Sequence, residues 1–326
     1  MEPKPEPTRI EQAVVPPPLA TTPDEILARC RGPRYWPARL LVLWLRLMAV
    51  LPWRFVLSLH KGIGRLAGLL SRRRRHIVER NLEICFPHLS QAERDTLVGK
   101  HFANVGAFFA ELALAWFEEP EKHAHLFTCE GVEHLQEALA RGKGVVLYTG
   151  HFTTLEICGA TVKPLVPLYA FMFSQRGNPV LDAAQRRGRA RYAHLSVPAN
   201  NVRDMLGLLA RNAVVWYAPD QVRTGTGKLV PFFGEPAMTS TAPSRLARIS
   251  GAAIVPMFFR RKDDDSGYLV RFHAPLQDFP SGDLAQDTAR LTTVLEGFIR
   301  ECPEQYFWIH RKFKGRPQGA DAYEGN

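Results

Sequence analysis

The sequence predicts an α/β protein with a mixed, largely parallel central sheet flanked by helices, and a separate helical segment ahead of it. Three observations carry this. From about residue 145 onward, short β-branched and aromatic runs alternate with stretches of helical periodicity. Between residues 76 and 127 the periodicity is helical throughout, as in Phe108-Phe109-Ala110-Glu111-Leu112-Ala113. Before that, residues 35–70 form the most apolar region of the N-terminal part. At 326 residues and 46% hydrophobic, the chain can bury the core of one large α/β domain or two small ones.

Residues 1–32 are rich in Pro and Glu, include Pro16-Pro17-Pro18, and read as a disordered tail without a cleavable signal peptide. Residues 33–75 read as a membrane anchor. Leu40-Leu41-Val42-Leu43-Trp44-Leu45 and the run from Leu47 to Trp53 are interrupted by Arg39 and Arg46, and Arg54 follows. A bilayer-crossing helix needs about 20 mostly apolar residues. The segment therefore fits a borderline span or an interfacial amphipathic helix with snorkelling arginines and interfacial tryptophans. Arg72, Arg73, Arg74 and Arg75 follow directly and read as lying beside anionic cytoplasmic head groups; a solvated face and a nucleic-acid patch are the competing readings. Strand-like runs then fall at 144–148, 165–173, 213–218, 253–259 and 268–272. Helix-like stretches lie at 155–162, 179–191, 202–211 and 240–250, with a long closing helix at 284–302. The main domain thus covers 76–317, and 318–326 reads as a flexible end.

The formal net charge of +10 implies an anionic partner: nucleic acid, an acidic protein or an anionic membrane. The cysteines, Cys30, Cys85, Cys129, Cys158 and Cys302, are odd in number and contain no C-x-x-C pair. That argues against a disulfide framework or a zinc site and for a reducing compartment.

Chemistry concentrates around residue 151. Val145-Val146-Leu147-Tyr148 runs into Thr149-Gly150-His151, so the imidazole emerges where a strand gives way to a turn. Glu156, five positions on, is expected to fold back and orient it, the arrangement by which an imidazole takes a proton from a hydroxyl near neutral pH. Asp220 sits in Ala218-Pro219-Asp220 at another strand exit, where open α/β sheets gather their functional groups; a turn-forming Asp is the alternative. Thr224-Gly225-Thr226-Gly227-Lys228 lacks phosphate-loop spacing. No Gly-x-Ser-x-Gly elbow is present, which argues against a serine hydrolase. Near the C-terminus, Tyr306-Phe307-Trp308-Ile309-His310-Arg311-Lys312 turns from aromatic to basic, suited to phosphates, head groups or an acidic protein.

Several motifs occur in order: Asn81 to Pro87, His151 with Glu156, Asn178-Pro179 with Asp182, Val215 to Asp220, Leu246 to Ala252, Val255-Pro256 and Pro303 to Arg311. Together they resemble the late acyltransferases of lipid A biosynthesis, the lauroyl/myristoyl type within the wider lysophospholipid acyltransferase superfamily, over roughly residues 35–317. Related glycerolipid acyltransferases carry His-x-x-x-x-Asp, and Glu156 favours the lipid A branch. The resemblance implies a glycerolipid-acyltransferase-like fold at the inner membrane with its site facing the cytoplasm. It also implies transfer of a fatty acyl group, lauroyl by the look of Trp216 to Asp220, from acyl carrier protein to an acyl-chain hydroxyl of a Kdo-bearing lipid A precursor. No metal, organic cofactor or nucleic acid is implied. His151 carries over as base, Glu156 as its orienter, and Asp220, Asn178 and Arg311 as supporting or substrate-binding groups. The family's arginine before Asn-Pro has no direct counterpart, since Ser174 holds that position; Arg176 or Arg189 would supply the guanidinium. The rival readings are a lysophospholipid acyltransferase and a basic, non-enzymatic membrane-binding protein.

Overall fold

The computed structural model describes residues 22–173, 177–199, 201–221, 227–314 and 322–323. Its first helix, α1 (Pro23–Arg29), begins on a capping box: the Thr22 hydroxyl accepts from the Glu25 amide, and the Glu25 carboxylate accepts from the Thr22 amide. A capped helix therefore lies inside the stretch read as a tail. The apolar region is two helices, α2 (Trp36–Ala49) and α3 (Trp53–Leu70), broken at Leu51-Pro52 because proline lacks an amide proton and pushes its predecessor out of the helical region. Among the described residues no helix is long and apolar enough to cross a membrane. The four arginines open α4 (Arg72–Cys85) rather than closing an anchor, so the expected boundary after residue 75 falls within a helix.

The long helix α5 (Gln91–Phe117) starts on the Ser90–Glu93 capping box and runs through the core. Helix α3 lies hard against it. A Cβ on Gly64 would stand 2.2 Å from the Phe102 carbonyl oxygen, and one on Gly106 would stand 2.0 Å from that of His60. Glycine at these positions is what lets the two backbones meet. Val56, Leu57, Leu45 and Met48 turn inward, while Leu40, Leu43, Leu47, Phe55, Leu66 and Leu70 face outward.

There follow β1 (Phe127–Glu130), α6 (Val132–Ala140), β2 (Val145–Tyr148), α7 (Leu155–Gly159), β3 (Tyr169–Phe173), α8 (Pro179–Tyr192), β4 (Leu195–Pro198), α9 (Val202–Leu209) and β5 (Val214–Tyr217). The chain continues through β6 (Lys228–Phe232), β7 (Glu235–Thr239), α10 (Ala242–Ser250), β8 (Ala253–Arg261), β9 (Tyr268–Phe272) and α11 (Leu284–Glu301). A seven-stranded sheet runs β1-β9-β8-β2-β5-β3-β4. All its pairings are parallel except β8–β9. This is the mixed, largely parallel sheet expected. The edge strands β1 and β4 and the hairpin β6–β7 escaped sequence reading. Neither edge strand is buried along its length, so neither carries a continuous apolar run, and Pro231 and Pro236 interrupt the hairpin's pattern.

Strand β2 is buried at every position and lies between β5 and β8. Tyr148, its last residue, is in register with Tyr217, the last residue of β5. The two strands thus leave the sheet side by side in the same direction. The 305–313 stretch returns across this end as a strap. The Phe307 amide donates to the His151 carbonyl at 2.9 Å, and the Thr153 amide donates to that of Gln305 at 2.8 Å. Asn81 on α4 pins the strap, its side-chain amide donating to the carbonyls of Trp308 (2.7 Å) and His310 (2.8 Å). Tyr323, inside the stretch read as a flexible end, is buried and donates to the Asn81 side chain at 2.6 Å.

Candidate active site

His151 and Asp220 each lie three residues beyond the paired ends Tyr148 and Tyr217, and this shared offset brings them together. The Asp220 carboxylate accepts twice from residue 151: from its amide at 3.0 Å and from imidazole Nδ1 at 2.5 Å. Tyr306 donates its hydroxyl to the same carboxylate at 2.8 Å, and the Lys312 ammonium donates to the Asp220 carbonyl at 3.1 Å. The Asp220 side chain is 1% exposed and the His151 side chain 31% exposed, so the acid is sealed and the imidazole is reachable. Burial opposes the Asp220 charge, but the His151 contacts and the Lys312 charge outweigh it and hold the carboxyl well below the usual carboxylate range. An ionised carboxylate only accepts, so His151 donates from Nδ1; in the neutral ring the lone pair then lies on Nε2.

The carboxylate bonded to the imidazole is therefore Asp220, whereas Glu156, which the five-residue spacing pointed to, makes its hydrogen bonds elsewhere. Glu156 lies in the first turn of α7, and that helix turns its side chain away from His151 into a closed cage. Its carboxylate accepts from Trp116 (3.2 Å), Gln185 (3.1 Å), Arg189 Nε (3.2 Å), Arg189 Nη2 and the Tyr192 hydroxyl. Arg189 also donates to the Met172 carbonyl at 3.1 Å and stacks 3.9 Å from the Phe171 ring centroid. Burial works against the Glu156 charge too, and Arg189 with the surrounding donors overrides it, holding the acid down to about 2.

The remaining expected site residues divide. Arg311 lines a cleft of about 540 Å³ that opens onto Asp220, together with His310, Lys312 and Lys314. Asn178 caps α8, its side-chain oxygen accepting from the amides of Val180 (3.1 Å) and Leu181 (3.3 Å), and it is not among the residues lining the cleft. Arg189 joins Glu156 in the cage rather than His151. Arg176 lies outside the described residues. Tyr306 and Lys312, read in the sequence only as part of an aromatic-then-basic run suited to anionic partners, contact Asp220 directly; such a run does not tell inward from outward side chains. The His310 ring stands 6.5 Å from that of His151, centroid to centroid. Among the described residues no group of His, Cys, Asp and Glu could hold a metal ion.

A parallel-rich sheet with an imidazole–carboxylate pair at its strand exits, above a basic cleft, is the architecture of an α/β enzyme. The profile of the bacterial lipid A biosynthesis acyltransferases matches residues 25–315, and the chain belongs to that family, making it an O-acyltransferase of lipid A biosynthesis. It is 37% identical over 289 residues to the lipid A biosynthesis lauroyltransferase of Escherichia coli K12, covering 88% of this chain and 94% of that one. It is 35% identical to the palmitoleoyltransferase of the same organism, with 88% and 94% covered. To the myristoyltransferase it is 29% identical, with 89% and 90% covered.

Proposed function

We propose that this enzyme transfers a lauroyl group from acyl carrier protein to an acyl-chain hydroxyl of a Kdo-bearing lipid A precursor, with His151 as general base and Asp220 as its orienter. The observation that carries this reading is the His151–Asp220 pair, sealed on the acid side and open on the imidazole side. Nε2 removes the hydroxyl proton while Asp220 fixes the tautomer and stabilises the imidazolium. The alkoxide attacks the donor thioester, a tetrahedral oxyanion forms, and its collapse releases the thiolate. The enzyme itself stays unacylated throughout. Glu156 and Arg189 act from behind, holding the turn that carries His151. Arg311 and Lys314 at the cleft, with exposed Arg72, Arg73 and Arg74, suit an acidic carrier protein and a phosphorylated acceptor. Lauroyl is supported by the identity to the lauroyltransferase.

The outward residues of α2 and α3 support an interfacial site at the cytoplasmic face of the inner membrane. Leu40, Leu43 and Leu47 recur at helical spacing, as do Ile63, Leu66 and Leu70, with exposed Arg46, Arg54 and Arg65 interspersed. Such a surface lies in one leaflet without crossing it. Leu43→Glu combined with Leu66→Glu is expected to release the folded protein from vesicles containing anionic lipid; unchanged co-sedimentation overturns the interfacial reading.

The decisive assay uses purified protein in detergent, a Kdo-bearing tetraacylated lipid A precursor and a panel of acyl carrier protein thioesters, read by mass spectrometry of the lipid. Addition of a lauroyl mass is expected, with His151→Ala slower by about 100- to 10,000-fold. Near-normal turnover by His151→Ala, or acylation of a lysophospholipid alone, overturns the proposal.

A further inference from the structure

A carboxylate that orients an imidazole also attracts a proton to it. An ionised acid bonded to Nδ1 favours the imidazolium and so raises the pKa of the base it positions. A base already protonated at neutral pH cannot accept the substrate's proton. Asp220 is buried beside His151, where its charge is poorly screened.

We propose that Lys312 is the counterweight to Asp220, a positioning residue whose ammonium keeps His151 neutral between turnovers. The inference rests on His151 being the general base. The Lys312 ammonium donates to the Asp220 carbonyl at 3.1 Å and lies 4.7 Å from the centroid of the Phe232 ring. Its neighbours behave differently: Arg311 reaches the Tyr323 ring, 5.5 Å from its centroid, and Lys314 is exposed. Lys312 shares the cleft lining with Arg311 and Lys314, but it is the one seen to bond to Asp220. Burial draws its pKa down, and Asp220 opposes that fall.

The charge count explains what this arrangement does. At rest, Asp220 (−1), Lys312 (+1) and neutral His151 sum to zero. Once His151 has taken the proton the site is +1. Without Lys312 the resting site is −1, so it captures a proton prematurely. Among the described residues, the other titratable groups near this pair are Tyr306 on the strap, Tyr148 on β2, Cys85 on α4 and His310 beside His151, with Arg311 and Lys314 in the cleft lining. Burial drives both tyrosines far above their ordinary values, so they remain neutral.

The test is kcat/KM against pH, from about 5 to 9, for the full-length wild type, Lys312→Met and Lys312→Arg. The wild type should lose activity on an acid limb as His151 protonates. Lys312→Met should move that limb upward by about one unit, lowering activity roughly tenfold on the limb while leaving the alkaline plateau within a few-fold. Lys312→Arg should return the limb towards the wild-type position. An unmoved limb with a lowered plateau, or identical limbs for the Met and Arg variants, overturns the proposal and leaves Lys312 a packing residue. Should Lys312→Met fail to fold, NMR titration of the His151 ring in Lys312→Gln reads the same shift without turnover; an unshifted ring titration overturns the proposal. Turnover retained by His151→Ala would instead sink the base assignment itself, and the ring titration keeps the two failures apart.

Discussion

Asp220 and Glu156 are both buried, both held ionised, and both close to the turn that carries His151, yet their surroundings differ in kind. Asp220 faces an imidazole that is itself partly exposed. Glu156 faces a guanidinium, an indole, an amide and a phenol that close around it. A carboxylate whose partner still has an unused lone pair can pass a demand for protons outward. A carboxylate whose partners are all donors, one of them a permanent cation, is suited to holding parts together. Glu156 ties α7 to α5 and α8, just beyond the His151 turn; Asp220 holds the imidazole through Nδ1.

The largest expected effect follows from Asp220→Asn, which should preserve the fold and cut turnover by about 10,000-fold. Two donors, the His151 amide and the Tyr306 hydroxyl, converge on Oδ2. An asparagine would keep its oxygen there and turn its NH₂ towards the imidazole. Nδ1 must then accept, the ring proton moves to Nε2, and the base loses its lone pair. NMR of the ring nitrogens should show that tautomer change alongside the kinetic loss. A variant turning over within tenfold of wild type would return the orienting role to another group.

The contrast between the two acids also shows where local reading stops. The strand-exit positions of His151 and Asp220 were legible because buried strands announce themselves as apolar runs. Which exits meet was not, because that depends on β5 lying beside β2 in the sheet, a fact with no local trace. Spacing along the chain proposed Glu156, and α7 overruled it by turning that side chain towards α8. Arg189, named as a candidate functional guanidinium, is found as the ionic half of the cage, a placement that composition does not distinguish from substrate binding. Lys312 lay in a visibly basic run, but its inward direction is set by the Asn81 clamp on the strap, some 230 residues away in sequence. The break between α2 and α3 was legible in Leu51-Pro52, whereas the outward orientation of their leucines depends on the glycine contact with α5.

The smaller effect sharpens the comparison from the other side. Glu156→Gln leaves the Arg189 charge buried without its partner and should cost about 3 kcal/mol of stability, with turnover per folded molecule far less affected than in Asp220→Asn. Its pH signature has a definite sign. Glu156 is depressed from 4.5 in its ordinary state to about 2 in the fold, so it contributes stability above pH 4.5 that is lost as pH falls towards 2. Denaturant melts of wild type and Glu156→Gln should therefore be furthest apart at neutral pH and converge across that acid window. A stability gap that stays constant from neutral pH down through the window would mean that the cage does not depend on the Glu156 charge. A kinetic loss matching that of Asp220→Asn, in protein that remains folded, would mean that the closed carboxylate takes part in the chemistry after all.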